Sequence, residues 1–562
     1  MGDEFKQIRE EQAQWEKRHQ QELLDERKKV FLTDDGMEVK RVYTPADLAA
    51  QGFEYQKDLG FPGEYPYTRG IYPQMYRKRP YVVGQYLGHS TVEETNVYYR
   101  DIIQKGQEEF HVAWDVASIV GLDSDDPRAR HDVGKCGMAL DSLQDMEILF
   151  NGIDLSKVYV LYVYIPLSII ITAMHIVVAE KQGVPREKIS LCPQNDVMKT
   201  YAVVDTPVFP PNAGMRLATD VSTYIARNLP KSLAFNICTY HIGEGGANRV
   251  QQLAYTLSSA KAFVKAALKR GVDIDQIAPK VAFLAYVNHR EFLLEIAKTR
   301  AWRRMWAKIV REEFGAKNPA SWQMWMHQAN GGIDMTREPL EVNQGRVALA
   351  TAAAALAGVQ TIGGSTYDEP LGIPSKRASY MAILTRYLVA HECGLMDTVD
   401  PLAGSYYLEY MTNEIEMEAA KEIKKIDEMG GMLEAVTKGY VQKQITENAY
   451  KEQEKIEKGE KLTIGVNCFV DNEEEERRDY YKPNPKVLEQ QTAKLQKLRA
   501  TRDNARVQAT LQTIAEYAKR PESDENNLLP HVIEAVKAYA TVGEITQVLK
   551  GAFGEFKGLN IF

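Results

Sequence analysis

An α/β fold, a (β/α)8 barrel of the TIM type with an N-terminal arm and a C-terminal helical extension, is the class this sequence predicts. Two observations predict it. Seven short apolar or β-branched runs recur along the middle of the chain, and helical stretches rich in Ala, Leu, Lys and Glu separate them. A third observation disfavours a doubly wound open sheet, because no Gly-rich phosphate turn follows the first run.

The first element is MGDEFKQIREEQAQWEKRHQQELLDERKK, too charged for a secretory signal and patterned as an exposed helix; residues 1–42 are read as an arm. The barrel is placed at residues 43–405. Its strands are expected at FHVAWDVA from Phe110, VYVLYVY from Val158, ISLCP from Ile189 and LAFNICT from Leu233, then KVAFLAY from Lys280, WQMWMH from Trp322 and VQTIGG from Val359. An eighth strand is expected near Asp397 to Asp400. VYVLYVYIPLSIIITAMHIVVA, from Val158 to Ala179, is apolar enough to resemble a membrane span, but Pro166 interrupts it and its period then turns helical, as in a buried strand followed by its helix. Beyond residue 406 the chain reads as charged amphipathic helices around the solvated linker NEEEERRDYYKPNP, to residue 562.

Composition narrows the function. A chain of 562 residues with net charge −8 has no basic excess with which to neutralise nucleic-acid phosphates. Its five cysteines are too scattered for a zinc site or a disulfide scaffold and read as free thiols in a cytoplasmic protein. There is no P-loop, no Gly-x-Ser-x-Gly elbow and no metal triad at helical spacing, so no metal is expected.

In such a barrel chemistry sits at the C-terminal ends of the strands. Polar residues gather there: Asp115 and Ser118; Gln194, Asn195 and Asp196; Tyr240, His241 and Glu244; His327 and Asn330; Ser365, Asp368 and Glu369. In TYHIGEGGA a histidine at a strand end is followed by a glutamate and two glycines, which places an imidazole at the mouth while the backbone turns tightly. On residue type alone His241 reads as a satisfied structural histidine.

RGIYPQMYRKRPYVVGQYLGHSTVEETN, GLDSDDPRARHDVGKCGMALDSLQDMEILF, QNDVMK, YHIGEGGA, FGAKNP and VDPLAGSYYLEYMT follow one another in the order of the methylmalonyl-CoA mutase family, and the sequence resembles that family from about Tyr43 to its end. The nearest organisation is that of the large subunits of two-subunit acyl-CoA mutases. The resemblance implies an adenosylcobalamin-dependent isomerase that rearranges a carbon skeleton by radical chemistry inside a barrel that excludes water. The Asp-x-His-x-x-Gly motif that carries the cobalt ligand in the family is missing, which implies a separate small cobalamin-binding subunit and a heterotetramer of two large and two small chains.

Carried over residue by residue, the resemblance gives His241 a catalytic role at the thioester carbonyl and Tyr86 one beside the substrate. It gives Tyr240, Glu244 and Glu369 to the cofactor face, and Tyr72, Met75, Arg79, Gln194, Lys280, Gln360 and Thr361 to the substrate and coenzyme A channel. The departures matter as much. Val204 stands where methylmalonyl-CoA mutase pairs an arginine with the free carboxylate, and a buried carboxylate without a cation is costly. A substrate lacking a second carboxylate follows. Val82, Gly84, His111, Cys192, Lys280, Ala320, Trp325 and Gly363 also replace family residues, several of them coenzyme contacts. Two alternatives therefore stay open: a radical mutase whose substrate is not a CoA thioester, and a non-catalytic subunit supporting an active partner, which the retention of His241, Tyr86 and Glu369 disfavours.

Overall fold

The computed structural model describes residues 2–558 apart from 25, 27, 106, 108, 164–165, 205 and 471–480. The strands are β1 (Val82–Val83), β2 (Gln85–Leu87), β3 (Glu109–Val112), β4 (Tyr159–Tyr162) and β5 (Leu191–Pro193), then β6 (Phe235–Cys238), β7 (Val281–Val287), β8 (Trp325–Asn330) and β9 (Thr361–Gly364). All their pairings are parallel, in one sheet of order β1-β9-β8-β7-β6 and another of order β2-β3-β4-β5. Gly84 alone separates β1 from β2, and beside β6 the amide of Leu233 donates to the Leu191 carbonyl at 2.9 Å, so the sheets adjoin at both edges. The architecture is mixed α/β with parallel sheets and helical crossovers, as a TIM-type fold requires.

The strands are short and buried because helices cover their outer face. Every residue of β7 is buried, which is why KVAFLAY reads as a continuous apolar run. The crossover helices Arg249–Lys269, Phe292–Lys308 and Val342–Ala357 follow β6, β7 and β8 in turn. The segment that resembled a membrane span is β4 followed by the helix Ser168–Lys181, buried from Ser168 to Ala179. Among the described residues no helix is long and apolar enough to cross a membrane.

The seven expected strands are present. The eighth is not where it was expected: residues 397–400 form turns, and the remaining strand is the pair β1 and β2, ahead of all seven. The physical reason lies in Asp400, whose carboxylate pairs with the buried guanidinium of Arg300 and lies 3.4 Å from that of Arg69. A second correction concerns His327 and Asn330, which lie within β8 rather than beyond it. The long helix Tyr406–Glu428 packs on Arg249–Lys269 and Phe292–Lys308, so the chain after residue 406 begins as an outer layer. Most of the expected linker, residues 472–480, lies outside the described residues.

Candidate active site

The C-terminal ends of the strands surround a cavity of about 420 Å³. Tyr86 enters it from β2, Gln194 from the end of β5, and Tyr240, His241 and Glu244 from the short helix Tyr240–Glu244 after β6. Glu369 closes the rim from the turn after β9. The alternation of a strand explains Tyr86: Gln85 and Leu87 are buried on either side while Tyr86 is 40 % exposed, into the cavity.

His241 is held from behind. The Nζ of Lys199 lies 2.6 Å from His241 Nδ1, donates to Gln194 Oε1 at 2.6 Å and reaches Cys238 Sγ at 3.3 Å. An ammonium has three protons and no lone pair, so these three acceptors use them all and Nδ1 must accept. The imidazole proton then sits on Nε2. Burial, and after it the charge of Lys199, hold the His241 pKa well below the usual histidine value, so the ring is neutral. Lys199 is fully buried, and burial lowers its own pKa, while the charges of Asp196, which caps the helix Val197–Val203, and of Glu244 oppose that lowering.

The opposite rim is acidic. Glu244 accepts the amides of Gly332 at 2.6 Å and Ile333 at 3.3 Å, and the Tyr240 hydroxyl donates to it at 3.2 Å. Burial raises the pKa of Glu369 to about 7 against a backbone hydrogen bond from Thr366, with the Glu244 charge adding to the rise. Glycines make this approach possible: a Cβ on Gly331 would lie 3.0 Å from Glu244 Oε1, and one on Gly332 would lie 3.1 Å from Glu369 Cγ. Burial also raises the phenols of Tyr86 and Tyr240, which keep their protons. Among the described residues no lysine or arginine lines the cavity.

The expected site residues divide between two places. Tyr86, Gln194, Tyr240, His241, Glu244 and Glu369 line this upper cavity. Tyr72, Met75, Arg79, Gln360 and Thr361 line a second cavity of about 480 Å³ at the N-terminal ends of β1 and β9. Between them stands a polar layer: Thr361 donates to Glu109 Oε2 at 3.1 Å, and His111 Nε2 lies 2.6 Å from Glu109 Oε1. Lys280 lines neither cavity, because its ammonium donates to the carbonyls of Leu229, Pro230 and Ser232 at 3.1, 2.8 and 3.1 Å.

The ring of polar residues read at the mouth is also thinner than expected. Asp115 caps the helix Val116–Ile119 and accepts the Gly134 amide, Asn195 donates to Ser222 and Ala234, and Asp368 accepts Thr366 and Ser375. Their side chains hold loops, and none of the three lines the cavity. Reading the sequence missed Lys199 and Glu109. The signal for Lys199 was a lone cation inside the apolar helix VMKTYAV; for Glu109, two residues before His111 on one strand, there was none beyond alternation.

Comparisons with known proteins agree on one family. The family model described as methylmalonyl-CoA mutase matches residues 32–555. The 2-hydroxyisobutanoyl-CoA mutase large subunit of Aquincola tertiaricarbonis is 37% identical over 559 residues, covering 99% of this chain and 98% of that protein. Methylmalonyl-CoA mutase of Cereibacter sphaeroides is 39% identical over 525 residues, covering 93% of this chain and 73% of that protein. The mitochondrial methylmalonyl-CoA mutase of Homo sapiens is 37% identical over 528 residues, with coverages of 94% and 69%.

Proposed function

The chain belongs to the methylmalonyl-CoA mutase family, and from that premise we propose that it is the large subunit of an adenosylcobalamin-dependent mutase acting in the cytoplasm on an acyl-CoA without a second carboxylate. In this reading residues 43–405 form a closed eight-stranded barrel, residues 1–42 an arm and residues 406–562 an outer helical region. A small cobalamin-binding subunit covers the mouth, two of each chain making a heterotetramer. The observation that carries the reading is the Lys199–His241 pair, which presents a neutral imidazole N–H to an enclosed cavity.

The chemistry such a cofactor supplies is a carbon-centred radical that removes a hydrogen atom from the substrate. The residues at the rim suit an adenosyl group: Glu369 offers a carboxylate to paired hydroxyls, Glu244 and Tyr240 also line the rim, and Gly331 and Gly332 let the two glutamates approach the backbone closely. His241 holds a proton at Nε2 where it hydrogen-bonds the thioester carbonyl, and a neutral donor serves better here than a cation because no proton need be transferred. Tyr86 keeps its phenolic proton, which makes its ring harder to oxidise by a nearby radical. Enclosure excludes water from the migrating group. Val204 and the absence of a lining cation support a substrate whose migrating end is uncharged.

The test is turnover of candidate acyl-CoAs by the full chain with its small partner and adenosylcobalamin, with rearranged product read by mass spectrometry. Product formation that His241→Ala lowers by about a hundredfold or more is expected; full turnover by that variant overturns the assignment.

A second reading, a substrate that is not a CoA thioester, is favoured by one observation: the Thr361, Glu109, His111 and His327 layer stands between the upper cavity and the one that holds Arg79 and Tyr72. Calorimetric titration with coenzyme A decides. Saturable binding supports the acyl-CoA reading; no heat at millimolar concentration favours the other.

A further inference from the structure

We propose that Glu109, His111 and His327 form a binding site for one divalent transition-metal ion at the floor of the upper cavity. The site is built from both sheets. Glu109 and His111 are two residues apart on β3 and so share a face, and His327 comes from β8 opposite, its ring centroid 4.5 Å from that of His111. Each residue offers one ligand atom, and these atoms all lie within 4.8 Å of one another.

Burial makes the arrangement demanding. Glu109 and His111 are each 4 % exposed and His327 is 1 % exposed, yet neither ring nitrogen of His327 has a hydrogen-bond partner among the described residues. Its Nδ1 points toward Glu109 Oε1 from 3.5 Å, while His111 Nε2 meets the same oxygen at 2.6 Å. Two imidazoles thus converge on one carboxylate oxygen, one of them without a proton acceptor or donor of its own. A cation at their centre uses both nitrogen lone pairs and the carboxylate charge at once. Donors about 2.0–2.2 Å from a zinc-like ion stand roughly 3.3 Å apart, and the two observed separations bracket that spacing. Two imidazoles with one carboxylate suit Zn²⁺, Co²⁺ or Fe²⁺ rather than Ca²⁺ or Mg²⁺, which take oxygen ligands.

Two further features fit a site rather than a chance contact. Thr361 donates to Glu109 Oε2 at 3.1 Å, which orients the carboxylate and leaves Oε1 for the centre. Glycines clear the space: a Cβ on Gly84 would fall 2.5 Å from His111 Cε1, and one on Gly363 would fall 2.9 Å from His327 Nε2. Neither glycine has a positive φ, so no turn demands it; at Gly84 the two rings occupy the space, and at Gly363 the His327 ring shares it with the Gly84 carbonyl. His111 and His327 also line the upper cavity, which gives the ion an open side where water or a substrate oxygen completes its shell. None of this depends on the mutase reading.

The experiment uses the full chain stripped of metal by a chelator and titrated with Co²⁺ alone. One equivalent per chain is expected, with visible ligand-field absorption that Zn²⁺ abolishes; His111→Asn and His327→Asn should each weaken binding at least tenfold while far-UV circular dichroism is unchanged. X-ray absorption on the unmutated Co²⁺ complex needs no variant and should show two imidazoles in the first shell. No binding, binding indifferent to either folded variant, or a first shell of oxygens alone overturns the proposal and leaves the cluster as a hydrogen-bonded ionic layer.

Discussion

Lys199 Nζ lies 2.6 Å from His241 Nδ1, so a buried ammonium decides which imidazole nitrogen carries the proton. Removing it frees the tautomer. Lys199→Met, of similar length but without a donor, should lower kcat about tenfold or more and leave KM within a few-fold. Nitrogen NMR of the His241 ring is the discriminating readout: a shift from the Nε2–H tautomer to a mixture is expected, and an unchanged tautomer contradicts the role.

The rim carboxylate Glu369 should impose a pH limb. Its pKa is raised by burial, and then by Glu244, to about 7, so the acceptor form grows as pH rises through 7. Cofactor affinity should therefore climb between pH 6 and 8, roughly tenfold per unit below the pKa, and Glu369→Gln should flatten the limb. The stability effect has the opposite sign. A carboxyl whose folded pKa exceeds its unfolded value destabilises the fold progressively as pH rises from about 4.5 to 7. The thermal unfolding midpoint of Glu369→Gln should thus lie above that of the unmutated chain at pH 8 and match it near pH 4.

Substrate charge offers a third check. With no lysine or arginine lining the upper cavity, a free carboxylate on the migrating end would be buried unpaired, at a cost of several kcal/mol. Methylmalonyl-CoA should react about a thousandfold or more below an uncharged branched acyl-CoA in kcat/KM. Comparable values contradict the reading of Val204.

Much of the fold was legible in the sequence. Seven strands stood out because parallel strands buried on both faces read as unbroken apolar runs, as in β7. The strand at Val82–Leu87 was hidden because Gly84 splits it into pieces of two and three residues, too short for a period to register. Residues 397–400 form no strand because Asp400, at positive φ, turns the chain to reach Arg300. His241 and Glu369 stood out by their placement at strand ends, and resemblance added Tyr86 and the roles proposed for all three. Lys199 and the grouping of Glu109, His111 and His327 did not stand out, since the pairs that define them, Lys199 with His241 and Glu109 with His327, join residues far apart in sequence, and alternation within one strand says nothing of what faces it.

Arg300 itself carries a stability prediction. It is 1 % exposed in its side chain, bonds Glu409 at 2.6 Å and pairs with Asp400. Arg300→Met leaves the buried Glu409 without a cation and Asp400 with Arg69 alone, and urea unfolding should show a loss of about 3–5 kcal/mol. A loss below about 1 kcal/mol would mean that water reaches the pair.

The mutase reading stands or falls on radical formation. Rapid mixing of the full chain, its small partner and adenosylcobalamin with an uncharged acyl-CoA should produce cob(II)alamin absorbance and a matching organic-radical signal in electron paramagnetic resonance, both dependent on substrate. An adenosylcobalamin spectrum that stays unchanged with every thioester, in a complex shown to hold both chains and the cofactor, contradicts it.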